Sequence, residues 1–210
     1  YLFGIGLIGL VIGKIVNSFS SYQRLREAGK LSYRGKNHIV MIGWSPRAKK
    51  TIEEVLIFKE KSDIILIDTL PKSPIEIEGV RYIHGDPTSF DTLNRAHVKE
   101  AFSVCIFATD TSKDSIEIDG KTLLIAAAIE NYANEINKDI YTIVEIVKEK
   151  HIPNFKHASV DEFVLSNEAF SDLMAKSAIH KGSTKLFMQL LNRGYDDDIW
   201  EVKKSVKWKT

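Results

Sequence analysis

The chain has 210 residues, with 29 Lys and Arg against 28 Asp and Glu and a formal net charge of +1, a balance with no broad field to draw it onto nucleic acid. Its one cysteine, Cys105, stands in an apolar run, which excludes an intrachain disulfide and fits a reducing compartment. There is no CxxC pair and no HExxH, and the six histidines are scattered, so a structural zinc site has no ligand set.

Tyr1 to Val16 form a nearly uncharged apolar run interrupted at Lys14. It is shorter than the roughly 20 residues that cross a ~30 Å hydrocarbon core. Because the chain opens on Tyr and not Met, residues 1–21 read as the C-terminal part of a longer membrane helix. The basic residues Lys14, Arg24, Arg26, Lys30, Arg34 and Lys36 lie in and after the run, against the single acid Glu27. This is the positive-inside pattern, which places the basic linker 22–37 and the domain beyond it in the cytoplasm. Gly4, Gly6, Gly9 and Gly13 each cost about 1 kcal/mol in a water-solvated helix and are common in membrane helices. The competing reading is a soluble core helix with a solvated basic tail.

From His38 onward short apolar runs alternate with longer helical patterns. Strands are expected at 38–43, 63–68, 80–85, 104–110, 139–146 and 161–166. Helices are expected after the first strand (Ile52, Val55, Leu56, Phe58), near 118–134 and near 150–158. The strands are apolar almost throughout, as a parallel sheet covered on both faces requires. Strands separated by helical crossovers make right-handed βαβ units. The expected fold over 38–166 is an α/β, Rossmann-like, doubly wound sheet of six strands in the order 3-2-1-4-5-6, with ligands at the carboxyl ends where the order reverses.

Beyond it, Phe170, Leu173 and Met174, then Leu186, Phe187, Leu190 and Leu191, predict two more helices within 167–194. They join through His180-Lys181-Gly182-Ser183, with Ser183 as the candidate N-cap. Amphipathic helices left over by one sheet pack on another subunit or domain, making Phe170, Leu173 and Met174 candidates for an oligomer interface. Residues 195–210 alternate like the first strand of a further lobe.

A dinucleotide fingerprint needs G-x-G-x-x-G after the first strand; here the turn is Gly43-Trp44-Ser45-Pro46-Arg47-Ala48. Only the first glycine is kept. Ser45 stands at the middle one, Ala48 still permits close packing, and Ser45-Pro46 reads as an N-cap followed by a first helical residue. The helix N-terminus with its partial positive charge survives as a phosphate site, with Arg47 beside it. The same residues also read simply as a well-capped strand-to-helix turn. Asp68 ends strand 2 at the spacing of a ribose-binding acid, or serves as a turn residue in Asp-Thr-Leu-Pro. In His84-Gly85-Asp86-Pro87-Thr88, Asp86 is expected to cap the next helix and Gly85 to allow a sharp turn. Thr109, Asp110 and Thr111 end strand 4 across the crevice, within reach of a phosphate, a ribose or a cation.

HIVMIGWSPRA, IILID, VRYIHGDPTSFDTLNRAHV and the entry FGIG together resemble the regulator-of-potassium-conductance (RCK) domain that follows the inner pore helix of ligand-gated prokaryotic potassium channels. The resemblance spans nearly the whole chain, and HGDPT after a second-strand Asp is its most specific part. It implies a gating domain at the cell membrane, with the Rossmann lobe in the cytoplasm and lobes joined in pairs by helices like 167–192. Those lobes assemble as a ring of eight under a tetrameric pore, and 195–210 begins a C-terminal lobe. The filter motif TVGYG is absent from these residues.

Family members with a full fingerprint bind adenine nucleotides or NAD(H); the departure here leaves the ligand open, with ATP, ADP or NAD(H) one candidate, at Gly43, Ser45, Arg47, Asp68, Asp86, Thr109 and Asp110, and a divalent cation another. Ser45 brings the chain nearer to GWS-type members, among which calcium gating occurs. Glu145 matches a calcium-binding glutamate of that subgroup. The second glutamate is Val147 here and the strand-4 acid is Ala108, leaving one acid for a cation that wants six to eight oxygens. Two other functions are weighed against gating. A nucleotide-binding regulatory subunit of a potassium uptake system would lack the apolar run at 1–16. An NAD-dependent dehydrogenase would need an acid or base in a catalytic context, which no histidine here occupies.

Overall fold

The computed structural model describes residues 2–58, 63–109 and 114–191. Helix α1 (Leu2–Glu27) carries Arg24 and Arg26 in its last turn, where cations suit the negative end of the helix dipole. It runs six residues past the expected boundary at 21. Among the described residues no helix is long and apolar enough to cross a membrane. The helix stops in a glycine cap: Lys30 N–H bonds back to Leu25 C=O at 3.0 Å around Gly29, whose φ is +62°. A Cβ on Gly29 would lie 2.3 Å from the backbone nitrogen of His84.

The basic linker after α1 is bonded to the lobe along its length. Tyr33 N–H donates to Arg95 C=O and Asn37 N–H to Glu100 C=O, each at 2.8 Å, and His84 N–H donates to Gly29 C=O at 3.0 Å. The Arg95 guanidinium donates to the carbonyls of His84 and Gly29. Tyr33 is buried, and its hydroxyl donates to Asp63 at 2.6 Å.

Six strands, β1 (His38–Ile42), β2 (Ile64–Asp68), β3 (Val80–His84), β4 (Ala101–Ile106), β5 (Thr142–Ile146) and β6 (Glu162–Leu165), form one sheet in the order β3-β2-β1-β4-β5-β6. Every pairing is parallel. The crossovers carry α2 (Pro46–Phe58), α3 (Phe90–Arg95), α4 (Ser115–Ile136) and α5 (Ile152–His157).

Successive strand residues feed opposite faces, and both faces are dry. Val40, Ile42, Ile65, Ile67, Val104 and Ile106 pack with Ile125, Ile129 and Tyr132 of α4 and Phe155 of α5. Met41, Ile64, Leu66 and Tyr82 pack with Ile52 of α2. That two-sided burial is why the runs are continuously apolar. The bounds of β4 and β5 differ most from expectation. β4 starts three residues earlier and ends at Ile106, and β5 starts at Thr142, because a strand's ends are set by its neighbours' register and not by its own hydrophobicity.

A second compact unit begins at Ser166. Its described part holds α6 (Ser166–Ile179) and α7 (Ser183–Leu191), joined around Gly182 at φ +90°. Phe170 and Met174 are exposed and Leu173 is half-buried. Ser183 is the first residue of α7, but its hydroxyl has no hydrogen-bond partner among the described residues, so it makes no capping bond. The expected further lobe from 195 lies outside the described residues, as does Asp110.

Candidate functional site

The sheet order reverses between β1 and β4, and the loops leaving these strands cross at Gly43. Gly43 adopts φ +92°, and a Cβ there would meet Thr109 Cγ2 at 2.4 Å and the Phe107 carbonyl at 3.1 Å. Both the backbone conformation and the close approach of β4's exit demand glycine. Ser45 then caps α2: its Oγ accepts the Ala48 N–H at 3.1 Å, and Pro46 fills the first helical position. The cap reading of Ser45-Pro46 is therefore realised, and the serine hydroxyl is spent on it.

Asp68 has both carboxylate oxygens engaged by backbone donors. Trp44 N–H reaches Oδ2 at 2.7 Å and Leu70 N–H reaches Oδ1 at 3.1 Å. The side chain thus clamps the β1–α2 turn to the end of β2 while also making the turn bond expected of Asp-Thr-Leu-Pro. Trp44 N–H is thus bound to Asp68, Ala48 N–H to Ser45 Oγ, and Pro46 has no N–H. The backbone cradle that a pyrophosphate normally finds at this turn is partly occupied.

What remains is a side chain. Arg47 extends from the first turn of α2 across β4 to Glu145 on β5. Its Nε lies 2.7 Å from Glu145 Oε1, and a terminal nitrogen donates to the Ala108 carbonyl at 3.2 Å. Glu145 Oε2 accepts the Ala108 N–H at 3.0 Å. The three residues close a ring over the crevice. The glutamate side chain is 8% exposed and the arginine 43%, so one charge is buried and its partner reaches water. The contact at Oε1 is charge against charge without hydrogen-bond alignment, and Oε1 has no other donor. The glutamate that matches a calcium ligand of the family is thus faced by a guanidinium. Among the described residues no group of three or more His, Cys, Asp or Glu converges to hold a metal ion.

The remaining sequence candidates separate. The methyl of Thr109 is the group that a Cβ at Gly43 would strike, and its hydroxyl accepts from Lys121 Nζ at 3.3 Å, beside a small cavity of about 80 Å³. Asp86 does not cap the next helix. Its Oδ1 accepts the Thr88 N–H at 2.9 Å and the Thr88 hydroxyl at 2.7 Å, bonds that hold its carboxyl below the usual range, and α3 starts instead after Ser89. Gly85 is not in the left-handed region. It is needed because a Cβ would lie 2.4 Å from Thr92 Oγ1, so its role is packing α3 against the end of β3.

One contributor escaped sequence reasoning. Asp119, on the buried face of α4, accepts from Val147 N–H at 2.8 Å, Lys148 N–H at 3.1 Å and His151 Nδ1 at 2.6 Å. It fixes the loop leaving β5 immediately after Glu145. The available signal was an acid at a position flanked by the buried Ile118 and Thr122, since a buried carboxylate must be met by donors.

Residues 34–144 match the family described as the calcium-activated potassium channel slowpoke-like RCK domain. The chain belongs to this family. It is a family of channel regulatory domains and not of enzymes. The RCK chain is 30% identical over 158 residues to the putative potassium channel protein YugO of Bacillus subtilis, covering 75% of this chain and 46% of that protein. It is 26% identical over 202 residues to the calcium-gated potassium channel TvoK of Thermoplasma volcanium, covering 95% and 56%. The RCK chain thus spans about half the length of these curated relatives. In fold it is similar to the GsuK channel bound to NAD, at TM-score 0.57 and 16% identity over 74% of this chain and 27% of that one. It is also similar to the human SLO3 gating ring, at TM-score 0.52 and 16% identity over 83% and 30%.

Proposed function

We propose that this chain is the ligand-sensing gating domain of a potassium channel, in which an anionic ligand at the crevice competes with Glu145 for Arg47. On this reading residues 1–21 end an inner pore helix in the cell membrane, and the Rossmann lobe lies in the cytoplasm. The helices of 167–194, through Phe170, Leu173 and Met174, pair lobes into a ring. The observation that carries the proposal is the Arg47–Glu145 contact bridging α2 and β5 over β4. A phosphate placed at the α2 N-terminus offers the guanidinium a second, bidentate partner and leaves Glu145 to be met by Ala108 N–H alone. The ligand biases gating by the difference in its affinity for the two arrangements, and by no more.

An adenine nucleotide (ATP, ADP or NAD(H)) is the ligand class this reading favours. GsuK, of the same fold, binds NAD. Each Asp68 oxygen keeps a lone pair beyond its backbone donor, enough to accept a ribose hydroxyl. A divalent cation is the second reading, supported by the buried, undonated Glu145 Oε1 and by the calcium gating of TvoK; it requires Arg47 to leave. Calorimetry with ADP, NAD and Ca²⁺ on the parent and Arg47→Ala decides between them. Nucleotide binding that falls at least tenfold in the variant supports the first. Calcium binding that is absent in the parent and gained in Arg47→Ala supports the second. No binding of any of the three by either the parent or Arg47→Ala at millimolar concentration removes ligand sensing from this crevice.

A further inference from the structure

A second cavity lies away from the crevice, between the linker and the β3 edge, toward the amino ends of β2 and β3. It holds about 1040 Å³ and is lined by Arg26 from the end of α1, Arg34 from the linker and Arg81 from β3, with Tyr33, Asp63 and Glu78 also in its wall. A space of this size takes a ligand well beyond a single ion.

The charges of the cavity do not balance internally. Among the described residues none of the three guanidiniums has a carboxylate within ion-pair distance. Asp63 instead accepts the Tyr33 hydroxyl at 2.6 Å. Arg81 is held on a platform: its guanidinium carbon lies 5.2 Å over the Tyr33 ring. Tyr33 is in turn locked by Asp63 and by its edge contact with His38, at 4.6 Å between centroids. A guanidinium stacked on a fixed aromatic face keeps its in-plane donors for a ligand and loses little freedom on binding. With Arg26 and Arg34 in the same wall, this stacked guanidinium is one of three around one space, and guanidiniums offer the forked donors that recognise phosphate oxygens.

We infer that this cavity binds a phosphate-bearing anion, and that the headgroup of an anionic phospholipid is its source. The source is argued from α1. Ile15, Val16 and Phe19 are exposed apolar residues of that helix, and Arg26 comes seven positions after Phe19, about 10 Å along the axis. Acyl chains lying along that surface place a phosphate at the level of the arginines. This assignment of source rests on reading α1 as the end of a membrane helix; the anion site itself does not.

The test is native mass spectrometry of the full chain in detergent micelles with added phosphatidylglycerol, phosphatidylcholine or soluble glycerol phosphate. The parent is compared with Arg34→Gln, Arg81→Gln and a Lys156→Gln control, and circular dichroism checks that each is folded. Preferential retention of phosphatidylglycerol, reduced roughly tenfold in both arginine variants and unchanged in the control, is the expected result, the loss of one charge-assisted contact each. Glycerol phosphate binding with the same arginine dependence, without preference for the anionic lipid, upholds the anion site and overturns the lipid as its source. It would also weigh against α1 as a membrane helix without touching the crevice. Retention equal in parent and variants, or no binding of either phosphate, overturns the site.

Discussion

Arg47 and Glu145 meet at 2.7 Å across β4, joining the first turn of α2 to the end of β5. Their burial is unequal, which makes their substitutions unequal. Arg47→Ala strands a buried carboxylate, whereas Glu145→Gln keeps an acceptor for Ala108 N–H and leaves a guanidinium that water reaches. Arg47→Ala is therefore expected to lower stability by about 1–3 kcal/mol, and Glu145→Gln by less. Urea midpoints at neutral pH measure both. The reverse order would mean that the pair is incidental to the fold.

Asp68 is structural as well as a candidate ligand contact. Asp68→Ala leaves Trp44 N–H and Leu70 N–H without their acceptor and should cost about 1–3 kcal/mol, most of it at the part-buried Trp44 bond. Asp68→Asn keeps one acceptor oxygen and should lose about half as much. Thermal unfolding without ligand reads this directly, and an unchanged melting temperature for Asp68→Ala contradicts the clamp.

The joint between α1 and the lobe depends on Gly29. Gly29→Ala combines a left-handed φ with a Cβ 2.3 Å from His84 N, a cost of more than ~1 kcal/mol, and should free the linker from β3. Limited proteolysis is expected to cut between residues 28 and 35 in the variant well before it does so in the parent. Gly120→Ala is the contrasting case. Nothing lies within 4 Å of a Cβ at that helical position, so it should stabilise by roughly 0.5–1 kcal/mol.

His38 sets a pH dependence. It is fully buried, its Nε2 lies 3.0 Å from the Ala96 carbonyl, which assigns the proton to Nε2, and Nδ1 has no partner. Burial lowers its pKa below the ordinary 6.5. Below that pH the unfolded chain takes up a proton that the folded one refuses. The stability contributed by neutral His38 is thus complete above 6.5 and is lost as pH falls from 6.5 toward the lowered folded value. Denaturation midpoints of the parent and His38→Gln should diverge from parallel in that window, the parent's falling more steeply by at most about one proton's worth. Parallel curves would place the proton-linked change elsewhere.

Phe170, exposed on α6, tests assembly. Phe170→Asp should lower the oligomeric state in sedimentation by setting an unpaired charge in an apolar contact. It is a cleaner probe than the half-buried Leu173, whose substitution also disturbs its own unit. Unchanged sedimentation would take Phe170 out of any subunit contact.

The residues alone determined the sheet and its order, because a strand buried on both faces must be apolar throughout and parallel crossovers have one hand. They also determined the α2 cap, since Ser45 and Ala48 interact within one turn, whereas the need for glycine at position 43 came from the close approach of Thr109 and Phe107. Strand ends were less legible: β4 and β5 begin where neighbouring strands offer partners. Only the tertiary structure decided what the charged side chains do. Arg47 and Glu145 are far apart in sequence and become partners because the crossovers place β5 next to β4. Asp68 meets Trp44, and Asp119 meets the exit of β5, for the same reason. The linker, read as a basic tether, is held by Arg95 and Tyr33. Hydrophobic periodicity encodes which face is buried, but a long polar side chain takes its partner from whichever backbone the topology brings within reach.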